Sequence, residues 1–240
     1  MSTYVLVHGA WHGAWCWNHL VPMLRSAGHR VIAPDLPGHG SDRAALRTVK
    51  AGEYEDAICQ VLADVSEPVI LVGHSMGGTV ISGVAERMPQ QISQLVYISG
   101  FLLVNGQCIN DMEPWMGDSL AASNMSLSRD RSFLTLPEDI ARRALYHDCN
   151  EADCSEAMTR LQPQPLLPFI TPVTVTRERF GSVPRFYIEC LQDRAVPPGC
   201  QQVMYASTKC EQIFRLDCGH SPFFSRYNEL SEILLAIPAN

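Results

Sequence analysis

A chain of 240 residues with 46% hydrophobic content is long enough for one domain with a full core. Its 25 acidic residues outnumber its 18 basic ones, and the formal charge of −7 argues against nucleic acid or an anionic membrane as partner. No basic leader with a long apolar segment precedes the first strand-like run, and no apolar stretch could span a bilayer, so a cytoplasmic protein without a signal peptide is expected.

Tyr4–His8 (YVLVH) reads as a short strand ending in Gly9-Ala10. Apolar spacing predicts a helix over Trp17–Ala27, stopped by Gly28, and a second strand over Val31–Ala33 that ends in the turn-rich DLPGHG loop. Tyr54–Val65 repeats Ala57, Ile58, Val61, Leu62 and Val65 at helical spacing, and Pro68 precedes a buried strand beginning at Val69. A helix follows from near Ser75, then a strand over Gln94–Ser99. From 105 to 182 the pattern changes. Ile140–Tyr146 and Cys154–Leu161 look helical, and Pro163, Pro165, Pro168 and Pro172 interrupt the rest, as expected for a small helical cap inserted into a single domain spanning 1–240. Arg185–Cys190 and Gln212–Leu216 resume the strands, with helices over Cys200–Ala206 and Tyr227–Ala236. Strands alternating with helices, and hardly alternating in polarity, predict an α/β fold: a mostly parallel central sheet with helices on both faces.

The chemistry starts at Gly73-His74-Ser75-Met76-Gly77, a G-x-S-x-G run between a predicted strand and a predicted helix. That context puts Ser75 at the apex of a sharp turn with its hydroxyl exposed above the sheet edge. A serine needs a general base. Asp193 follows the RFYIEC strand and His220 follows the QIFRL strand, so both loops open at the same sheet edge. The order Ser75, Asp193, His220 fits a triad in which His220 takes the serine proton and Asp193 fixes its tautomer. Asp217 and Glu189 compete for the acid role. His74, inside the turn, is expected to point into supporting structure. The backbone N–H of Met76, and that of Ala10 in the loop after the first strand, are the expected oxyanion donors. Nine scattered cysteines without a CxxC read as free thiols in a reducing compartment, and neither a metal nor an organic cofactor is required.

These residues resemble the plant-type methyl esterase and hydroxynitrile lyase family of α/β-hydrolases. The similarity runs through VLVHGAWHGAWCW (5–17), AGHRVIAPDLPGHG (27–40), VILVGHSMGG (69–78), LVYISGFL (95–102), FYIECLQDRAVP (186–197) and the GHSPF around His220. The resemblance implies the α/β-hydrolase fold with a cap, a cofactor-free site built on Ser75, Asp193 and His220 with Ala10 and Met76 as donors, and allows a homodimer. It also implies two chemistries. Lyases of the family carry a threonine after the first-strand histidine and a lysine after the catalytic histidine, where this chain has Gly9 and Ser221. Without that cation beside His220, hydrolysis of small apolar methyl, alkyl or aryl esters is the leading expectation. Cyanohydrin cleavage, lactone or C–C bond hydrolysis, and a non-catalytic small-molecule receptor of the same fold are the alternatives.

The cap supplies Trp115, Met116, Leu120, Met125, Phe133, Leu134 and Phe169 as candidate apolar wall. Trp115 and Phe133 are expected opposite Ser75, Trp11 near the entrance, and Gly9 and Ser221 in contact with substrate. Arg129 and Arg131 are the candidates for a carboxylate clamp.

Overall fold

The computed structural model describes residues 1–42, 48–50 and 52–238. In chain order it forms β1 (Thr3–Val7), α1 (Leu20–Ser26), β2 (Arg30–Ile32), α2 (Glu53–Ala63), β3 (Val69–His74), α3 (Gly77–Arg87) and β4 (Ile92–Ile98). Next come α4 (Leu120–Asn124), β5 (Ser126–Leu127), β6 (Phe133–Thr135), α5 (Glu138–Leu145), α6 (Glu151–Arg160), β7 (Gln164–Pro165) and α7 (Leu167–Ile170). The chain closes with β8 (Arg185–Cys190), α8 (Pro198–Ser207), β9 (Gln212–Leu216), α9 (Pro222–Ser225) and α10 (Tyr227–Ala236).

Six strands pair in parallel in the order β2-β1-β3-β4-β8-β9. β1 and β3 are fully buried, which explains apolar runs that do not alternate: both faces are covered. The chain leaves β1 toward β2 and leaves β3 in the opposite direction. Right-handed crossovers therefore place α1 and α3 on opposite faces. α1 packs with α10, and α2 with α3. Each fully buried Leu or Val, such as Leu6, Leu71 or Leu95, contributes about 1.5–3 kcal/mol to that core.

The reversal of strand order between β1 and β3 matters most for function. The loops leaving their C-terminal ends diverge and open a crevice, the place where ligands bind in open α/β sheets. Register pairs Val7 with Gly73, so residues 8–11 lie beside the turn at Ser75. Leu191 N–H donates to Leu216 C=O at 2.9 Å and Gln192 N–H to Cys218 C=O at 2.8 Å, tying the loops after β8 and β9 together at the same edge.

Two elements differ from the sequence expectation. The helix expected from Trp17 starts at Leu20, because Ala14–Trp17 forms a 3-10 turn that buries Cys16 and Trp17. The segment 105–182 holds helices, as expected, but also a three-stranded antiparallel sheet, β5-β6-β7, where only breaks were read. Strands of two or three residues carry too little alternation to be seen. This small sheet is pinned to the body: Trp11 Nε1–H donates to Leu134 C=O at 3.3 Å, and Gln162 N–H donates to Trp11 C=O at 2.9 Å. Gly40 N–H donates to the Gln162 side-chain oxygen at 2.5 Å, so the DLPGHG loop holds the same segment.

Candidate active site

β3 delivers Ser75 into a turn so tight that the serine adopts a left-handed φ of 52°. For a residue with a Cβ this conformation costs on the order of 1–3 kcal/mol and persists only where the surroundings impose it. Gly77 shows what imposes it: a Cβ there would lie 2.7 Å from Val7 O and 2.8 Å from His8 O. The start of α3 can press against the end of β1 only without a side chain. Of the three other left-handed non-glycine residues among those described, Trp11 (φ 63°) and Ser99 (φ 45°) follow β1 and β4 at the same sheet edge, while Arg131 (φ 58°) lies in the turn between β5 and β6. Three of the four strained positions thus gather at one edge.

The candidate acid and base pair with each other. His220 Nδ1–H donates to Asp193 Oδ2 at 2.7 Å, with both side chains almost completely buried. Asp193 is held from every side. Its Oδ1 accepts from Ala195 N–H at 2.7 Å and Val196 N–H at 2.8 Å, and Oδ2 also accepts from the Ser99 hydroxyl. The competing acids are committed elsewhere. Glu189 faces α8 and the sheet edge, bonded to Gln202 (2.8 Å), Arg215 (3.0 Å) and Tyr205 (3.3 Å). Asp217 is exposed and accepts from Gln192 Nε2 at 3.0 Å. With Nδ1 engaged, Nε2 is the His220 nitrogen left to serve Ser75, which lines the same cavity.

The loop after β1 is set by two buried histidines. His8 Nδ1–H donates to Gly9 C=O at 2.8 Å, and its Nε2 accepts from Leu36 N–H at 3.0 Å. His12 Nδ1–H donates to Ala10 C=O at 2.7 Å, and its Nε2 accepts from the Tyr146 hydroxyl at 2.6 Å. Burial pushes both imidazoles down to about 3, so they stay neutral as these paired roles require. Gly9 C=O and Ala10 N–H belong to one planar trans peptide and point in opposite directions. By gripping the carbonyl, His8 aims the Ala10 N–H away from itself, on the side where Ala10 lines the cavity. Neither Ala10 N–H nor Met76 N–H donates to another group among the described residues. Two unpaired donors beside a strained serine can meet negative charge developing on a substrate oxygen.

His74 points into supporting structure. Its Nε2–H donates to His220 C=O at 2.8 Å, and burial, then the neighbouring His220, hold its pKa well below the ordinary value. Its Nδ1 faces Gly9, where a Cβ would come within 2.8 Å of that nitrogen and 2.9 Å of Ser75 Cβ. A threonine at position 9 could not be seated without moving the turn that carries the serine. From the cap side, Asp148 accepts the Gly219 N–H at 2.7 Å and steadies the His220 loop.

Ser75 and His220 line a cavity of about 240 Å³ together with Ala10, Trp11, Phe169 and Met125. A larger cavity of about 430 Å³ beside Arg87 and Glu55 contains none of these groups. Four sequence expectations need correction. Trp115 is 42% exposed and faces a surface groove beside Arg194, not the cavity. Phe133 is half-buried on β6 and absent from the cavity wall; its neighbour Leu134, turned to the other face of the strand, is buried in the core and does not line the cavity either. Gly9 lies behind Ser75, and Ser221 is fully buried at the start of α9 with its hydroxyl unpartnered, so neither lines the cavity. Arg129 and Arg131 are exposed on the turn joining β5 and β6 and do not reach it either. The reasoning from sequence missed Ser99, His8, His12 and Asp148. The signal that could have found the first three was their position just after β1 or β4, at the edge already assigned to the site.

A family model described as the alpha/beta hydrolase family matches residues 4–233. The chain is 32% identical over 251 residues to putative methylesterase 11, chloroplastic, of Arabidopsis thaliana, covering 98% of this chain and 63% of that protein. It therefore spans a little under two thirds of that relative's length. It is 32% identical over 250 residues to methyl jasmonate esterase 1 of Vitis vinifera, covering 98% of this chain and 95% of that one. Among solved structures, a pyrethroid hydrolase from Sphingobium faniae superposes with a TM-score of 0.88 at 28% identity, covering 98% of this chain and 96% of the other.

Proposed function

Since the chain belongs to the alpha/beta hydrolase family, we propose that it is a serine carboxylesterase acting on small apolar methyl, alkyl or aryl esters. The observation that carries this reading is the Asp193–His220 pair, Nδ1 to Oδ2 at 2.7 Å, in one cavity with a strained Ser75 and two unpaired N–H groups. His220 Nε2 takes the Ser75 proton as Oγ attacks the ester carbonyl, and the carbonyl oxygen becomes an oxyanion facing Ala10 and Met76 N–H. Collapse expels the alcohol, which receives the proton from His220, and leaves an acyl-serine. Water, deprotonated by the same nitrogen, attacks the acyl carbon and releases the acid and free Ser75. The names of a methylesterase, a methyl jasmonate esterase and a pyrethroid hydrolase among similar proteins support ester substrates.

Turnover across an ester panel that varies acid and alcohol separately tests this reading. Ser75→Ala should abolish hydrolysis and labelling by an organophosphonate. Hydrolysis that survives in that variant would remove Ser75 from the mechanism. Within the panel, Phe169→Ala should change the preferred acyl size, since its ring lies 6.2 Å from Trp11 at the cavity wall. One methylene in such a wall discriminates by about 1–3 kcal/mol. Trp115→Ala should leave the preference as it was, and a shift there would place Trp115 at the bound substrate after all.

All nine cysteines are free, which supports a reducing compartment. No helix among the described residues is long and apolar enough to cross a membrane. The cytoplasm is one compartment that fits, and relatives named as chloroplastic support another. The homodimer allowed by the resemblance would be read by size-exclusion chromatography.

A further inference from the structure

The charge at the cavity has the opposite sign from the clamp looked for in the sequence. Arg129 and Arg131 stand away from it, and Arg194 lines the neighbouring groove with Pro114 and Trp115. Apart from His220, the one ionisable side chain among the described residues lining the cavity is Glu113. It sits on the 3-10 helix Ile109–Trp115, which passes the mouth of the site. A 3-10 helix has three residues per turn, so Asn110, Glu113 and Met116 stack along one face, and all three line the cavity.

The Glu113 carboxylate has no structural task. It forms no hydrogen bond or ion pair among the described residues, whereas Asp111, two positions earlier, caps this helix by accepting Cys108 N–H at 2.8 Å. The rest of the lining is largely apolar and aromatic: it includes the rings of Trp11 and Phe169, 6.2 Å apart, and the thioethers of Met116 and Met125. An exposed carboxylate sharing one cavity with aromatic rings is a combination that attracts a compact organic cation. The same side chain repels a substrate carboxylate.

We infer that Glu113 is a specificity-determining residue and that the preferred esters carry a cationic nitrogen, such as a quaternary ammonium, on the part of the molecule lying at the cavity mouth. This rests on the ester-hydrolase reading and narrows its substrate class. Attraction across a partly hydrated distance of several ångströms should favour a cation over its neutral isostere on the order of threefold to tenfold at low salt.

A choline ester and the 3,3-dimethylbutyl ester of the same acid differ in charge and hardly in shape, so the ratio of their kcat/KM values reads the charge alone. The native protein should show a ratio of about three to ten in dilute buffer, falling toward one in molar salt. In Glu113→Gln the ratio should be near one and insensitive to salt. A ratio unchanged by Glu113→Gln overturns the inference while leaving the hydrolase reading intact. If neither ester is cleaved, it is the hydrolase reading that fails, and titration calorimetry with tetramethylammonium still decides the role of Glu113. Binding should weaken at least threefold in Glu113→Gln, and equal affinity of the two proteins for the ion would exclude it.

Discussion

In an Asp193→Asn variant, kcat on a short aryl ester is expected to fall by about 10⁴-fold, whereas Asp217→Asn should stay within about twofold of the native protein. The geometry explains the difference. Asp193 accepts four hydrogen bonds, two at each oxygen, and two of the donors are backbone amides that cannot accept in return. An asparagine must place its NH₂ group on one side. Facing Ala195 and Val196 it would meet two N–H groups, so it turns toward His220 and Ser99, where the hydroxyl can rotate to accept. His220 Nδ1 then has to become the acceptor, and its proton moves to Nε2. An imidazole protonated at Nε2 cannot take the serine proton. The shape of the site is kept and the base is lost. Loss of activity in Asp217→Asn with Asp193→Asn left active would transfer the acid role to the exposed carboxylate.

Ser99 sharpens this result. Its hydroxyl shares Asp193 Oδ2 with His220, so removing it frees one lone pair but leaves the tautomer in place. The cost of Ser99→Ala should therefore be far smaller than that of Asp193→Asn.

The placement of the candidate site was legible in the sequence because each part of it is a local pattern: a strand running into G-x-S-x-G, and an Asp and a His each placed just after a strand. The choice among Asp193, Asp217 and Glu189 was not local. It depends on which carboxylate the tertiary fold turns toward His220. Wall residues were legible only in part for the same reason. Trp11, Met116, Met125 and Phe169 reach the cavity, but Trp115, the last residue of its 3-10 helix, lines the surface groove beside Arg194, a placement that no local pattern records. Charge at the cavity was not legible either: Arg129 and Arg131 were the candidates for a clamp if one existed, and the hairpin between β5 and β6 carries both into solvent.

The second large effect concerns stability toward acid. His8 and His12 are fully buried, neutral, and pushed down to about 3, and His74 lies well below its ordinary value for the same reason. In the unfolded chain each would titrate near 6.5. Between those values the unfolded state binds more protons than the native one, so stability is complete above about pH 6.5 and is lost as the pH falls. Each such histidine removes up to about 1.4 kcal/mol for every pH unit in that window. Two of them between pH 6.5 and 4.5 would remove roughly 5 kcal/mol, comparable to the whole stability of many domains. The structural reason is visible at each ring: protonating His8 Nε2 would turn a hydrogen toward Leu36 N–H, and protonating His12 Nε2 would turn one toward the Tyr146 hydroxyl, whose own proton now points at that nitrogen. Urea unfolding at half-unit steps should show the midpoint falling steeply from pH 6.5 to 4.5, before most carboxylates titrate. His12→Gln should start from a lower stability but show a shallower slope, by about 1.4 kcal/mol per pH unit. A native midpoint that is flat over this range would mean that these imidazoles charge inside the fold, and the loop they hold would then have to be held by something else.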